Sequence, residues 1–186
     1  MENLNKNAIN NGVIIAIISI AIQVIMYYAM PSLFGSFATG IGIWAILLII
    51  YVLLTIDLRK KIGGFWLFKD ALKGIFLMSF IANAGSAIFT FIFYKFIEPN
   101  AYDKIVGFVT EGLTATYEKM GMSQDKVDEA ITQVEKSLKT QFQPDILDFL
   151  KSLGIAILVG FVMSLIFAAI FKKSPPMFAP AEEVES

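Results

Sequence analysis

Four long apolar runs divide the chain. The first extends from Gly12 to Met30, interrupted only by Ser19 and Gln23 and stopped by Pro31. The second runs from Thr39 to Ile56 and ends at Asp57. The third, Gly74 to Ile97, is broken only by small or neutral polar residues and by Lys95, and the fourth covers Ser152 to Phe171. Each has roughly the 17–25 residues needed to cross ~30 Å of hydrocarbon at ~1.5 Å per residue. Barrel strands would instead alternate apolar and polar residues over about ten positions. These runs are apolar all round, so the pattern predicts four transmembrane helices.

Between the third and fourth runs the pattern changes. From Glu98 to Asp148 there are ten acidic and five basic side chains, and the apolar residues recur at helical spacing. Asn100 is placed to cap a helix, with Asp103 positioned to reach back to it. Ile105, Val109, Leu113 and Met120 follow on one face. Gly121 supplies a left-handed C-cap and Ser123 starts a second helix. There Val127, Ile131, Val134, Leu138 and Phe142 form one narrow apolar stripe flanked by Asp125, Asp128, Glu129, Glu135 and Lys136. Gln143-Pro144 ends it, and Pro144 suits the first position of a third helix carrying Asp145 and Asp148 in its first turns. The segment therefore predicts an antiparallel hairpin outside the membrane, followed by a helix continuous with the fourth span. Its stripes must be buried against each other, the membrane mouth or a second copy. Its net acidity disfavours lying flat on anionic lipid. Gly107 and Gly112 weaken the first helix by ~1 kcal/mol each relative to Ala, which places bending or fraying there.

Composition sharpens this picture. The 186 residues are 56% hydrophobic and 17% charged, against about 45–50% and about 25% in ordinary soluble domains, which excludes a disordered chain and argues against a soluble one. The chain has neither Cys nor His. That removes disulfides, thiolate nucleophiles, imidazole bases and nearly every zinc, haem or iron–sulfur site. A formal net charge of −1 points to no nucleic-acid partner.

Lys and Arg set the expected direction. Arg59, Lys60, Lys61, Lys69 and Lys73 crowd the loop after the second span, and Lys172-Lys173 closes the fourth. The Pro31–Ala38 loop carries no charge. Both termini and the basic loop are thus expected on the cytoplasmic side of a bacterial inner membrane. Tyr27, Tyr28, Trp44 and Tyr94 lie toward one interface, and Phe65, Trp66 and Phe68 toward the other. The first run is too long, and too poor in basic residues ahead of it, for a cleaved signal peptide, so an uncleaved anchor is expected. The expected divisions are a cytoplasmic tail over 1–10, three spans over 11–97 with a basic loop at 57–73, the extracytoplasmic hairpin at 98–148, a fourth span at 149–173 and a disordered cytoplasmic tail at 174–186.

The loop Gly63-Gly64-Phe65-Trp66-Leu67-Phe68-Lys69-Asp70-Ala71-Leu72-Lys73-Gly74, and Gly121-Met122-Ser123-Gln124-Asp125-Lys126-Val127 in the insert, resemble a family of bacterial four-span inner-membrane proteins catalogued as a domain of unknown function. The resemblance runs from the first span to Lys173. It implies the same all-α topology and no catalytic residues.

Candidate chemistry is sparse. Without His there is no Ser–His–Asp site and no metalloprotease helix. Lys95 is about nine residues, or ~13 Å of helix, from Ser86, too far for a Ser–Lys dyad, and it is expected to snorkel. No Ca²⁺ loop is present. No ionisable residue lies mid-span, where transporters and pumps place them. The deep polar residues are Gln23, Ser79, Asn83, Ser86, Thr90 and Ser164. They read as interhelical hydrogen bonds worth roughly 0.6 kcal/mol each, or as a polar path. Ala156, Gly160, Ser164 and Ala168 form a small-residue stripe suited to close helix packing, in the monomer or at a dimer seam. The expectation is a non-enzymatic accessory protein without a cofactor, bedded in the lipid bilayer, that meets a protein partner or a second copy through its outer hairpin, whose seam is Val127, Ile131, Val134 and Leu138. The alternative is a small transporter or permeability protein in which Gln23, Asn83 and Thr90 face one another.

Overall fold

The computed structural model describes residues 2–174. The expected tail beyond 174 lies outside the described residues. Six α-helices form: α1 (Glu2–Ala29), α2 (Phe37–Lys61), α3 (Phe68–Ile92), α4 (Ala101–Lys119), α5 (Gln124–Phe142) and α6 (Ile146–Phe171). A short 3-10 turn, Pro31–Gly35, precedes α2, and a π turn, Phe93–Ile97, prolongs α3. The segments Asn3–Ala29, Phe37–Lys61, Phe68–Ile97 and Ile146–Phe171 are long and apolar enough to cross a membrane. The chain is an all-α, multi-pass membrane protein.

Helix α3 is central, with α1 packed on one side and α6 on the other, while α2 leans chiefly on α1. At the basic-loop end the four spans converge on a core that includes Leu4, Ala8, Leu58, Ile75, Met78, Phe167 and Ala168. Lipid removes the hydrophobic drive between helices, so close contact must supply the adhesion. Gly12 shows how close that contact is: a Cβ there would lie 2.6 Å from the Met78 carbonyl oxygen.

The segment 1–10 differs from the expected tail. Helix α1 begins at Glu2, and Leu4, Ala8, Asn11 and Ile15 are all buried. Their spacing of four, three and four residues keeps one face inward while Asn3, Lys6 and Asn10 turn outward.

The loop between α2 and α3 is strapped to the end of α6. Trp66 and Lys173 exchange backbone hydrogen bonds of 2.9 and 3.0 Å, and the Trp66 indole N–H donates to the Phe171 carbonyl at 2.8 Å. The Arg59 guanidinium donates to the same carbonyl at 3.4 Å. Gly63 and Gly64 make the preceding turn at φ +101° and +84°, a region open chiefly to glycine.

At the other end α4 and α5 form the hairpin. Gly121, at φ +74°, donates to Glu118 while Met122 donates to Tyr117, the paired bonds of a Schellman turn. Neither Asn100 nor Ser123 caps its helix through a side-chain bond, although both stand at the N-cap position. Helix α6 starts at Ile146, inside the expected hairpin segment, and runs unbroken into the span. Pro144 lies before it, and Asp145 is the true N-cap, its carboxylate accepting from the Asp148 N–H at 2.7 Å.

Gly112 does not fray α4. A Cβ there would stand 2.6 Å from the Gly35 carbonyl oxygen, and one at Gly35 would collide with Phe108. The two glycines let α4 lie directly on the 3-10 turn.

Candidate functional site

Two apolar faces of the hairpin close onto the span ends. Ile105 and Val109 of α4 and Leu138 and Phe142 of α5 are buried with Tyr27, Phe93 and Tyr94, and Val134 and Leu113 pack against that cluster. Phe142 meets Tyr94 edge-on at 4.8 Å and Phe34 at 5.6 Å between ring centroids. Of the expected seam, Val127 and Leu138 are buried, whereas Ile131 and Val134 are half-buried at its edge. Leu138 and Phe142, with Val134 against them, reach the span ends, while the rest of the stripe lies along a helix packed chiefly on α4.

The π turn allows this. Glu98 N–H donates to the Phe93 carbonyl at 2.7 Å, widening the helix so that the adjacent Phe93 and Tyr94 both turn inward. Glu98 then accepts from the Tyr27 hydroxyl at 2.9 Å and the Tyr28 hydroxyl at 2.5 Å. Lys104 Nζ sits 4.1 Å above the Tyr27 ring. The hydrogen bonds from Tyr28 and Tyr27 hold the Glu98 carboxyl below its usual pKa, partial burial opposes them, and Lys104 adds a smaller pull downward. The sequence pattern places Tyr27 and Tyr28 only at the interface. Their partner lies 70 positions or more away and left no local signal.

The deep polar residues separate into two seams. Thr90 Oγ1 donates to Gln23 Oε1 at 2.9 Å between α3 and α1. Asn83 Nδ2 donates to Ser79 Oγ at 3.3 Å, and this pair faces α6, where a Cβ on Gly160 would lie 2.9 Å from Ser79 Oγ. Ser164 is fully buried and donates to the Gly160 carbonyl at 2.6 Å. Gly160, Ser164 and Ala168 therefore pack inside the monomer. Gln23 and Thr90 meet, but Asn83 does not join them.

A cleft of about 550 Å³ opens under α5, between α3 and α6. Ser86, Thr90 and Phe91 form one wall, Phe149, Ser152 and Ala156 another, and Ser137, Thr140 and Gln141 the roof. Hydroxyl and amide groups supply its polarity, with Ser137 and Thr140 already donating to the Gln133 and Lys136 carbonyls of their own helix, and no charged side chain lines it. A smaller cavity of about 230 Å³ lies between α1, α2 and α3. It also has Thr90 and Gln141 as walls, together with Gln23 and Tyr94.

One further polar cluster went unread in the sequence. Buried Asn11 donates through Nδ2 to the Leu54 carbonyl at 3.0 Å and to Asp57 Oδ2 at 3.1 Å, and Asp57 is paired with Lys61 at 2.7 Å. The recurrence of Leu4, Ala8, Asn11 and Ile15 at helical spacing is the signal that could have found it.

Residues 10–173 match the family model described as Protein of unknown function (DUF4199). The chain belongs to this family. As a DUF4199 protein it carries the four spans over nearly the whole matched region, with the hairpin inserted before the last. No curated protein and no solved structure matches it.

Proposed function

We propose that this DUF4199 protein is a non-enzymatic accessory protein of the bacterial inner membrane that presents its helical hairpin, as a fixed platform, to a protein partner outside the cytoplasm. One observation carries the reading. The apolar faces of α4 and α5 close on each other and, through Ile105, Val109, Leu138 and Phe142, on Tyr27, Phe93 and Tyr94, so the hairpin is held in one pose and turns its charged face, with Asp125, Asp128, Glu129 and Glu135, outward. Photocrosslinkers at Gln133 and Glu135 in native membranes test it. Discrete protein adducts are expected at both, and none at lipid-facing Leu158. Monomer alone at all three positions rejects it.

The transporter reading needs Gln23, Asn83 and Thr90 on one path, and the placement of Asn83 against Ser79 and α6 weighs against it.

We also propose that both termini and the basic loop are cytoplasmic, on the strength of Arg59, Lys60, Lys61, Lys69 and Lys73. The chain has no native Cys, so a thiol scan is clean. Ser123→Cys should label from outside intact cells and Lys61→Cys should not; the reverse result inverts the topology.

A further inference from the structure

Helix α3 carries one stripe whose character changes with depth. Lys69, Lys73, Phe76 and Phe80 recur at intervals of four, three and four residues, so they share a face over ~17 Å of helix. Both lysines and Phe80 are exposed, while Phe76 is half-buried and meets Phe161 of α6 edge-on at 5.4 Å. Between α1 and α6 this face is the floor of a groove of about 480 Å³, lined by Asn5, Lys73, Phe76, Leu77, Phe80 and Ile157. Asn5 stands level with Lys73, because its neighbour Leu4 packs on Gly74. Ile157 marks the deep end, one turn from Gly160 and its contacts with Ser79 and Asn83. From Lys73 to the level of Asn83 is ~15 Å, half of the ~30 Å hydrocarbon thickness. The groove thus has the depth of one leaflet, with its charge confined to the surface end.

That charge is uncommitted. In the rest of the basic cluster, Arg59 is bound to the Phe171 carbonyl, Lys61 is paired with Asp57, and Lys173 Nζ rests 5.2 Å from the Phe65 ring centre. Lys69 and Lys73 have no ion-pair partner among the described residues. Asp70, the carboxylate between them in sequence, turns into a separate cavity with Asn3, Lys61 and Trp66. Two ammonium groups one helical turn apart can reach the oxygens of a single phosphate.

The geometry points to a site for one anionic diacyl phospholipid, its phosphate held between Lys69 and Lys73 and one acyl chain laid along Phe76 and Phe80 toward Ile157. The assignment requires only that the basic-loop end meet a membrane surface. It is therefore independent of the hairpin's partner and of the direction of insertion.

The test uses the full chain in phosphatidylcholine nanodiscs. These are titrated with phosphatidylglycerol carrying a photoreactive group midway along one acyl chain, or with phosphatidylcholine bearing the same chain. Each lysine near a membrane surface is worth about fivefold toward an anionic lipid. Phosphatidylglycerol should therefore half-saturate labelling of the Phe76–Phe80 and Ile157 peptides at a ~25-fold lower mole fraction. Lys73→Gln should cut that preference to about fivefold, and Lys69→Gln combined with Lys73→Gln should abolish it. Both positions are exposed, so the fold is kept. Lys60→Gln removes an exposed lysine of the same basic cluster that does not line the groove, and it should leave the preference unchanged. Equal half-saturation by the two lipids in the unmutated chain overturns the inference. So does a loss in Lys60→Gln as large as in Lys73→Gln, which would reduce the preference to diffuse attraction by the basic end. Labelling spread equally to exposed Leu53 of α2 overturns the groove. Full competition by millimolar glycerol phosphate would assign the lysines to a soluble phosphate ester and refute the lipid.

Discussion

At the basic-loop end, helices touch through backbone and small side chains, with Gly12 against Met78, and Gly160 deeper in the bundle against Ser79 and Asn83. At the hairpin end the space is filled by rings: Tyr27, Phe93, Tyr94 and Phe142 stand within about 6 Å of their neighbours in edge-on pairs. The difference follows the solvent. Inside lipid an apolar side chain gains nothing by leaving its surroundings, so adhesion comes from the close approach of backbones. At the mouth the alternative is water, and burying aromatic area holds α4 and α5 down. The glycine contacts at Gly12 and Gly160, and the Gly35–Gly112 contact under α4, should therefore be sensitive to added volume, and the aromatic part of the hairpin core to volume removed.

The largest effect is expected from Phe142→Ala. Deleting a buried ring costs about 3–5 kcal/mol, concentrated where α5 meets Tyr94 and Phe34. The segment 101–142 should become protease-sensitive while the spans stay inserted, because their backbone hydrogen bonds are internal. Unchanged cleavage would mean that this core does not hold the hairpin.

Next comes Gly160→Leu, at about 1–3 kcal/mol for overpacking. Its Cβ alone would lie 2.9 Å from Ser79 Oγ and 3.0 Å from Asn83 Nδ2. Thermal unfolding in detergent should drop clearly below that of Glu129→Lys, which alters an exposed residue and should stay within about ±0.5 kcal/mol. Equal midpoints would detach α6 from α3 and undo the contrast.

Ile131→Asp should cost less than either, near ~1 kcal/mol, since Ile131 sits half-buried at the edge of the hairpin core. Protease resistance close to that of the parent is the expected result. Collapse of the hairpin would show that Ile131 is as essential to the seam as the buried Val127 and Leu138 on either side of it.

The smallest effect is acidic loosening of the hairpin. Glu98 has a lowered pKa in the folded chain relative to the usual 4.5. Its stabilisation is thus complete above 4.5 and is lost as pH falls through the lower, folded value. Pepsin cleavage between Ala101 and Phe142 should rise over that interval, and Glu98→Gln should flatten the rise. A rise of the same size in Glu98→Gln would assign it to other carboxylates.

Those elements whose signal is local were legible beforehand. Apolar runs gave four spans, the Val127 to Phe142 spacing gave α5, and Gly121 its left-handed turn. The four-residue stripe through Gly160 and Ser164 gave the close-packed face of α6 without naming α3 as its partner. What remained hidden was pairing at a distance. Nothing near Gly35 announces Gly112, and nothing near Tyr27 announces Glu98, because each contact exists only once separate helices have docked. The first turns of α1 were hidden for another reason: their inward face is one residue in three or four, and the Asn-rich remainder masks it.

The strap between Trp66 and Phe171–Lys173 also has a meaning in time. The partners of the Trp66 indole are separated by 105 positions. At ~5–20 residues per second of synthesis, Trp66 therefore waits about 5–20 s for the carbonyl that will receive it. Until then the basic-loop end of the bundle stays unlatched, with α1, α2 and α3 already made and no α6 to close them. The last residues of the described chain to leave the ribosome are thus the ones that lock the first three helices in place.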